Sequence, residues 1–218
     1  MADKAHWERV YTQKKADTVS WYQTHADISL DLIRRTGISP SAALIDVGGG
    51  ASTLADDLLQ DNFSDITVLD LSAASLRVAR ARLGERADLI NWLEADITCA
   101  SLPARRYDLW HDRAVFHFLT APAERSRYLQ AVGQAVRPGG YVIVGTFAGD
   151  GPERCSGLPV QRYSVQALSH IFGNGYELLG HEKEDHCTPS GTVQKFIYCC
   201  WRRLDQQPDS NGSSEERK

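Results

Sequence analysis

The chain has 218 residues, of which 42% are hydrophobic and 24% charged, and its formal net charge is −4. This balance is typical of one globular domain and excludes a collagen, a coiled coil and a fully disordered chain. The mild negative charge gives no basic surface for nucleic acid, and no apolar run reaches the roughly 18 residues of a membrane span. We therefore expect no nucleic-acid partner and no membrane partner.

The cysteines and the two ends of the chain bear on the expected cellular location and on the domain boundaries. The first residues lack the apolar core of a secretory signal, and the five cysteines are an odd number. These features favour reduced thiols and a cytoplasmic location over a disulfide framework. No CxxC or HExxH motif is present, so we predict no metal site. Residues 205–218 contain no apolar side chain and are predicted to be a disordered polar tail, which leaves residues 1–204 as one domain.

Short apolar segments alternate with amphipathic segments along the domain, after an N-terminal helical cap at residues 1–38. The predicted helices lie at residues 4–13, 24–35, 52–60, 73–83, 123–136 and 165–172. The predicted strands lie at residues 42–47, 66–69, 89–93, 107–110, 141–147, 176–180 and 193–201. Alternation of this kind predicts an α/β fold with a mostly parallel sheet and helices on both faces. No helix separates the last two strands, so we expect them to be antiparallel.

The sharpest local motif is IDVGGGAS at residues 45–52, where three glycines follow the first predicted strand. Glycines at a strand-to-helix turn let a ligand approach the backbone closely. Asp70 ends the second strand, where a carboxylate accepts hydrogen bonds from a ribose diol. Asp96 follows the third strand, where a side chain can meet an adenine edge. Together these strand ends predict a bound nucleoside.

The same residues argue against a dinucleotide. A dinucleotide site places a third glycine where this chain has Thr53, and the carboxylate of Asp46 would repel a pyrophosphate. That carboxylate suits a ligand with an ammonium group. S-adenosylmethionine has an adenosine, a sulfonium and an amino-acid end but no phosphate, so it fits these residues better. A nicotinamide-dependent oxidoreductase is the alternative.

These motifs resemble those of class I S-adenosylmethionine-dependent methyltransferases. Asp46, Gly48 and Gly50 match the first motif of that family, although Ser52 replaces its final glycine. The resemblance implies a Rossmann-like sheet of seven strands with an antiparallel last strand, and S-adenosylhomocysteine as the product. It also implies a set of cofactor-binding residues, which are Asp46, Gly48, Gly49, Gly50, Asp70, Leu71, Asp96, Ile97 and His111.

The N-terminal segment is similar to the opening of methyltransferases related to the elongation-factor and citrate-synthase lysine methyltransferases. His6, Trp7 and Tyr11 carry this similarity, together with VSWY at residues 19–22. By that similarity Trp7, Tyr11 and Trp21 help to cover the cofactor, and the alternative is that they pack a helix onto the sheet.

Candidate residues on the acceptor side follow the fourth strand. A sulfonium methyl donor is already activated, so the enzyme mainly aligns the nucleophile, and a general base helps only an acceptor that arrives protonated. We take Asp112 and His117 as candidate catalytic residues. The alternative is that His111 contacts the cofactor, Arg113 pairs with an acid and His117 caps the next turn.

The segment at residues 151–163 is long for a connection and is predicted to be a substrate loop, with a structural lid as the alternative. Arg154, Arg162 and Tyr163 are candidates for binding an anionic or carbonyl group of the substrate. Cys155 in this loop and Cys187 before the last strand are further candidates. If the two thiols met, they would suit a thiol, sulfide or metalloid acceptor.

The sequence therefore favours a cytoplasmic S-adenosylmethionine-dependent methyltransferase with a small-molecule acceptor, because the chain carries little beyond the core domain. Within enzymes, the alternatives are a protein lysine methyltransferase and a methyltransferase for thiols, sulfides or metalloids. Outside this class, the alternatives are an NAD-dependent oxidoreductase and a catalytically silent protein that binds the cofactor.

Overall fold

The computed structural model describes residues 4–205, so the predicted tail from residue 206 onward lies outside the described part. The helices are α1 (Lys4–Gln13), α2 (Asp27–Arg35), α3 (Leu54–Gln60), α4 (Ala73–Leu83), α5 (Pro122–Ala135) and α6 (Val165–Phe172). The strands are β1 (Ala43–Val47), β2 (Asp65–Asp70), β3 (Ile90–Glu94), β4 (Tyr107–Arg113), β5 (Val136–Phe147), β6 (Arg154–Cys155), β7 (Leu158–Pro159), β8 (Tyr176–Cys187) and β9 (Val193–Arg203).

Seven strands form one sheet in the order β3-β2-β1-β4-β5-β9-β8. Strands β1 to β5 are parallel, and β9 runs antiparallel to both of its neighbours. This arrangement confirms the predicted α/β fold and its antiparallel last strand. The chain order reverses between β1 and β4, and ligands of such sheets bind outside the carboxyl ends of the strands at that point.

The sheet separates two clusters of buried side chains, because neighbouring residues of a strand point to opposite faces. Leu44 packs into one cluster and Ile45 into the other. Cys200 and Cys199 divide in the same way. All five residues of β1 are buried, which explains why this strand was visible as an apolar run.

Three strands are longer than predicted by three residues or more. Strand β4 continues to Arg113, so its last residues alternate between the two faces of the sheet. Strand β5 begins at Val136, directly after α5, and a register shift against β4 absorbs the following turn residues. Strand β8 continues to Cys187, which corrects the expectation that Cys187 lies in a connecting loop. The end of β8 is polar on both faces because it is an edge strand, and this hid it in the sequence.

The N-terminal segment lies over the carboxyl ends of the strands. Helix α1 contacts α4, Lys4 pairs with Glu94, and the backbone N–H of Ala74 donates to Glu8. Residues 14–26, which we call the strap, follow α1 and are bonded to the β8–β9 side of the sheet. No helix among residues 4–205 is both long and apolar enough to cross a membrane.

Candidate cofactor and acceptor site

The three glycines after β1 occupy positions that exclude side chains. Gly48 has φ of 70°, a conformation that favours glycine, and a Cβ there would overlap the Val115 side chain. A Cβ on Gly50 would lie 2.5 Å from Asp70 Oδ2. The turn therefore packs directly against Val115, which follows β4, and against Asp70 at the end of β2, while Gly48 and Gly49 line the cavities of the site.

Asp46 is fixed by a buried chain of polar contacts. His111 Nδ1 donates to Asp46 Oδ1 at 2.7 Å, and Ser29 Oγ lies 2.8 Å from Nε2 of the same ring. A carboxylate only accepts, so this contact places the ring proton on Nδ1 and fixes the tautomer. The arrangement connects α2, β1 and β4, and it holds the carboxylate of Asp46 beside the glycine turn.

Two further carboxylates stand at neighbouring strand ends. Asp70 is buried, and its Oδ1 accepts from the backbone N–H of Ser72 at 2.8 Å. Burial raises the pKa of Asp70 to about 6. Asp96 Oδ1 accepts from the backbone N–H and the hydroxyl of Thr98, both at 2.8 Å. Each carboxylate is held by hydrogen bonds within its own local turn, and each lines the first of the two cavities described next.

Two cavities, which together we call the cleft, meet at this edge of the sheet and share Tyr11, Trp21, Gly48 and Arg113. The first encloses about 750 Å³ of space not filled by protein atoms, part of which is open to solvent. Its other lining residues are Trp7, Val47, Leu69, Asp70, Leu71, Ala95, Asp96, Ile97, Ala114, Val115, Phe118, Leu119 and Cys155. The second, of about 510 Å³, also includes Asp46, Gly49, Thr53 and His111.

Aromatic side chains cover the cleft. The rings of Trp7 and Trp21 meet edge to face at 5.6 Å, and Trp7 meets Phe118 at 5.2 Å. Trp21 Nε1 donates to the Tyr11 hydroxyl at 3.1 Å. All four rings line the cleft and also pack against other rings of this group. The two roles that the sequence offered as alternatives, covering the site and packing the N-terminal segment, are therefore compatible.

Arg113 joins the cleft to the strap and to the last two strands. Its Nε donates to the Tyr198 hydroxyl at 2.7 Å, and Nη1 donates to the carbonyl of Trp21 at 3.0 Å. Glu184 lies 3.6 Å from Nη2 and accepts from Tyr198 at 2.6 Å. Arg113 thus pairs with an acid, as one alternative from the sequence held.

The structure places Asp112 away from the cleft. Neighbouring side chains of β4 face opposite sides of the sheet, so Asp112 does not pair with His111. Asp112 is fully buried and accepts from the Tyr128 hydroxyl at 2.7 Å and from the backbone N–H of Val115 at 2.9 Å. Burial raises its pKa to about 6. These contacts are those of a carboxylate that stabilises the turn after β4.

His117 is also fully buried and lies outside the lining of the cavities described above. Its ring packs against Phe147 at 4.6 Å and Phe118 at 4.5 Å. Burial, together with the positive charge of Arg113, lowers the pKa of His117 to about 3, so the ring is neutral. Its Nε2 has no hydrogen-bond partner within residues 4–205.

The predicted substrate loop contributes one residue to the cleft, which is Cys155. Burial raises the pKa of the Cys155 thiol to about 12, so it stays protonated. Arg154 donates to the carbonyl of Gly157, and Arg162 pairs with Glu153 at 3.1 Å, so both arginines brace the loop itself.

The other two acceptor-side candidates also lie outside the cleft. Tyr163 is buried against Phe116, with ring centroids 5.5 Å apart. Cys187 lines a separate surface cavity with His186, so it shares no cavity with Cys155.

Sequence reasoning missed several cleft residues. Val115, Phe118 and Leu119 line the cleft from the segment after β4, where the sequence drew attention to the polar residues instead. Gln23 bonds Glu184 at 2.6 Å, and no local signal connects positions 161 residues apart. Ala114, which also lines the first cavity, has φ of 70°, an uncommon conformation for a residue other than glycine.

The residues present fit S-adenosylmethionine. Gly48 and Gly49 of the turn line these cavities, and a carboxylate stands at the end of β1, of β2 and after β3. Carboxylates suit the hydroxyl, amino and ammonium donors of this cofactor, and they do not suit a pyrophosphate.

Comparisons with known proteins agree with this geometry. Residues 45–142 match the model of a family described as a methyltransferase domain. The mouse (Mus musculus) eEF1A lysine and N-terminal methyltransferase is 21% identical over 183 residues, which are 81% of this chain and 24% of that protein. The chain thus spans about a quarter of the length of this curated relative.

Solved structures share the fold. A structure from work on the conversion of a disulfide bond into a thioacetal group during echinomycin biosynthesis superposes with a TM-score of 0.74, at 18% identity over 93% of each chain. The 1,6-didemethyltoxoflavin-N1-methyltransferase of Burkholderia thailandensis, with bound 1,6-didemethyltoxoflavin and S-adenosylhomocysteine, gives a TM-score of 0.65 at 18% identity. The match covers 93% of this chain and 84% of that one.

The sheet order and the glycine turn define a Rossmann-like nucleoside-binding fold. Together with the match of residues 45–142 to a methyltransferase domain, they support a class I S-adenosylmethionine-dependent methyltransferase. This match favours a methyltransferase over the alternative of a nicotinamide-dependent oxidoreductase.

Proposed function

We propose that this enzyme methylates a small-molecule acceptor that enters the cleft beneath the strap. The enclosure of the cleft carries this proposal. Helix α1 is bonded to β3 and α4, while Arg113 and His186 donate to carbonyls of the strap at 3.0 Å and 2.8 Å. An anchored cover of this kind leaves little open surface for docking a folded partner.

We assign one half of the cleft to the cofactor. This cofactor half contains the glycine turn, the carboxylates of Asp46, Asp70 and Asp96, and His111. Asp70 would accept from the ribose hydroxyls, and Asp46, oriented by His111, would face the amino-acid end. Leu71 and Ile97 supply apolar surface for the adenine.

The other half, lined by Trp7, Trp21, Arg113, Phe118 and Cys155, is assigned to the acceptor. When bound, the cofactor supplies a methyl group on a sulfonium, which needs alignment with a nucleophile more than activation. The side chains of this acceptor half shape the space and exclude water.

We further propose that Asp112 and His117 position the segment after β4 and act as no general base. Asp112 is saturated by hydrogen bonds from this segment and from Tyr128, and His117 is enclosed by aromatic rings. Arg154, Arg162 and Tyr163 brace the loop that carries Cys155.

Protein lysine methylation is the second candidate, because the curated relatives are named as lysine methyltransferases. Two observations weigh against it. The charged group of the acceptor half is a guanidinium, and the acid beside it, Glu184, is already bonded to Tyr198 and Gln23. Methylation of a soft acceptor by paired thiols has no support, because Cys155 and Cys187 line different cavities.

Label transfer tests the proposal. The protein is incubated with radioactive-methyl S-adenosylmethionine and an extract of its host, and the products are separated by size and volatility. We expect label in the small-molecule fraction, and label confined to macromolecules would overturn the choice of acceptor. Binding of S-adenosylhomocysteine, measured separately by calorimetry, distinguishes a missing acceptor from a silent cofactor-binding protein.

A further inference from the structure

Helix α2 carries one polar side chain on its buried face. The buried residues of this helix are Ser29, Leu30, Leu32 and Ile33, so a single hydroxyl stands among apolar side chains. Ser29 is 1% exposed, and its hydroxyl bonds one group within the described residues, which is the ring of His111. A buried hydroxyl lowers stability unless it is hydrogen-bonded, so this contact explains how a serine is tolerated there.

The ring of His111 connects Ser29 to Asp46. Its Nδ1 donates to Asp46 Oδ1 at 2.7 Å, and its Nε2 lies 2.8 Å from Ser29 Oγ, so both ring nitrogens are engaged. A hydroxyl can donate or accept, so Ser29 satisfies Nε2 whether or not that nitrogen carries a proton. Any rotation of the ring would break both contacts. The orientation of the Asp46 carboxylate therefore depends on Ser29 through the ring.

The second carboxylate oxygen of Asp46 is left for a ligand. Oδ2 accepts no hydrogen bond from residues 4–205 and is not enclosed by protein atoms. It faces the glycine turn, since a Cβ on Gly49 would lie 2.3 Å from it. Asp46, Gly49 and His111 line the second cavity, whereas Ser29 stands behind them. The oxygen held by His111 thus fixes the carboxylate, and the other oxygen is presented to the cavity.

Resting on the proposed function, we propose that Ser29 is a positioning residue for recognition of the ammonium group of the cofactor. The Ser29 hydroxyl holds the His111 ring, the ring holds Oδ1 of Asp46, and Oδ2 is thereby kept toward the amino-acid end of the cofactor. A carboxylate oxygen fixed in this way forms a charge-assisted hydrogen bond with an ammonium group. Helix α2 then contributes to cofactor selection, although none of its residues lines the two cavities.

The test measures ligand binding to the whole chain by calorimetry, with probes that differ at the amino-acid end. S-adenosylhomocysteine carries an ammonium and a carboxylate, decarboxylated S-adenosylhomocysteine keeps the ammonium alone, and 5′-methylthioadenosine has neither. We expect Ser29→Ala to weaken both ammonium-bearing probes about threefold to tenfold, the range for the net loss of one hydrogen bond. Binding of 5′-methylthioadenosine should change less than about twofold, because its contacts lie away from Asp46.

Variants assign the effect to the ring and separate it from the stability of the helix. His111→Asn keeps an N–H donor near the Nδ1 position but is too short to contact Ser29, so adding Ser29→Ala to it should change nothing further. Thr36→Val is the matched control, since it removes a hydroxyl that donates to the Ile33 carbonyl at 2.6 Å, directly after α2 and outside both cavities. If Ser29→Ala fails to fold, Ser29→Cys answers the same question, because a thiol of similar size is only a weak donor.

Four outcomes overturn the inference. Ser29→Ala could leave all three probes unchanged, or weaken all three equally, as a loosened helix would. It could weaken S-adenosylhomocysteine but not the decarboxylated probe, because the contact would then serve the carboxylate. It could also act with full size in the His111→Asn background. A wild-type chain that binds S-adenosylhomocysteine but transfers no label would contradict the proposed function and not this inference, whereas a chain that binds none of the probes would contradict both.

Discussion

The cofactor half and the acceptor half of the cleft are assembled in different ways. The cofactor half takes its carboxylates from the ends of three strands that follow one another in the chain, at positions 46, 70 and 96. The acceptor half brings together Trp7 from α1, Trp21 from the strap, Arg113 from β4 and Cys155 from β6. Two of these carboxylates, at positions 70 and 96, are positioned by the turn at their own strand end. The acceptor half forms only when the strap packs onto the sheet.

Loss of the glycine turn should have the largest effect, and it would test the local character of the cofactor half. Gly48→Val places a branched side chain at φ of 70° and against Val115, so we expect S-adenosylhomocysteine binding to become undetectable by calorimetry. Gly180→Val is the matched control, because no atom lies within 4 Å of the Cβ position there. Retained binding in Gly48→Val would contradict the assignment of the turn.

A substitution of Asp112 tests whether this residue stabilises the fold or takes part in catalysis. Asp112→Ala leaves the Tyr128 hydroxyl and two backbone N–H groups without their acceptor, so we expect a loss of about 2–4 kcal/mol in the free energy of unfolding. Denaturant titration measures this loss. The affinity of the folded variant for S-adenosylhomocysteine should change less than about twofold, and a normal stability with lost methyl transfer would instead support a catalytic role.

Asp70 should have an intermediate effect that is confined to the cofactor half. Asp70→Ala removes the acceptor that we assign to the ribose hydroxyls, so S-adenosylhomocysteine should bind about 1–3 kcal/mol more weakly. Calorimetry on the two proteins measures the difference. Binding of equal strength would show that the ribose lies elsewhere.

The smallest effect is the pH dependence of cofactor binding. The pKa of Asp70 is raised to about 6 by burial, so the residue gains a proton in the folded protein as pH falls through about 6. Hydroxyl donors bind the ionised form, so the affinity for S-adenosylhomocysteine should be constant above that pH and fall below it, by up to about tenfold per unit. In Asp70→Asn this dependence should disappear, and an unchanged profile would assign it to another group.

The difference between the two halves also explains what could be predicted. The glycine turn with Asp46 and Asp70 was visible because short-range patterns at strand ends encode it. Asp112 and His117 looked suited to catalysis because their residue types are those of acids and bases. Asp112 is saturated with hydrogen bonds, and His117 is enclosed by aromatic rings. Both environments depend on residues distant in the chain.

The contacts of Arg113 were also not predictable from local sequence. Its sequence context predicted an ion pair with an acid and did not identify Glu184, 71 positions later on an edge strand, as that acid. The register of β8 against β9, which places Glu184 opposite Phe196, decides that contact.

The sequence by itself determined the α/β fold, the antiparallel last strand and the strand ends that we assign to the cofactor half, because each follows from local periodicity or from a turn that only glycine permits. The tertiary structure decided which polar side chains face the cleft. Neighbouring residues on one strand point to opposite faces, so His111 and Arg113 reach the site while Asp112 is buried behind it. Long-range packing of the strap then encloses the acceptor half, and no local pattern encodes that contact.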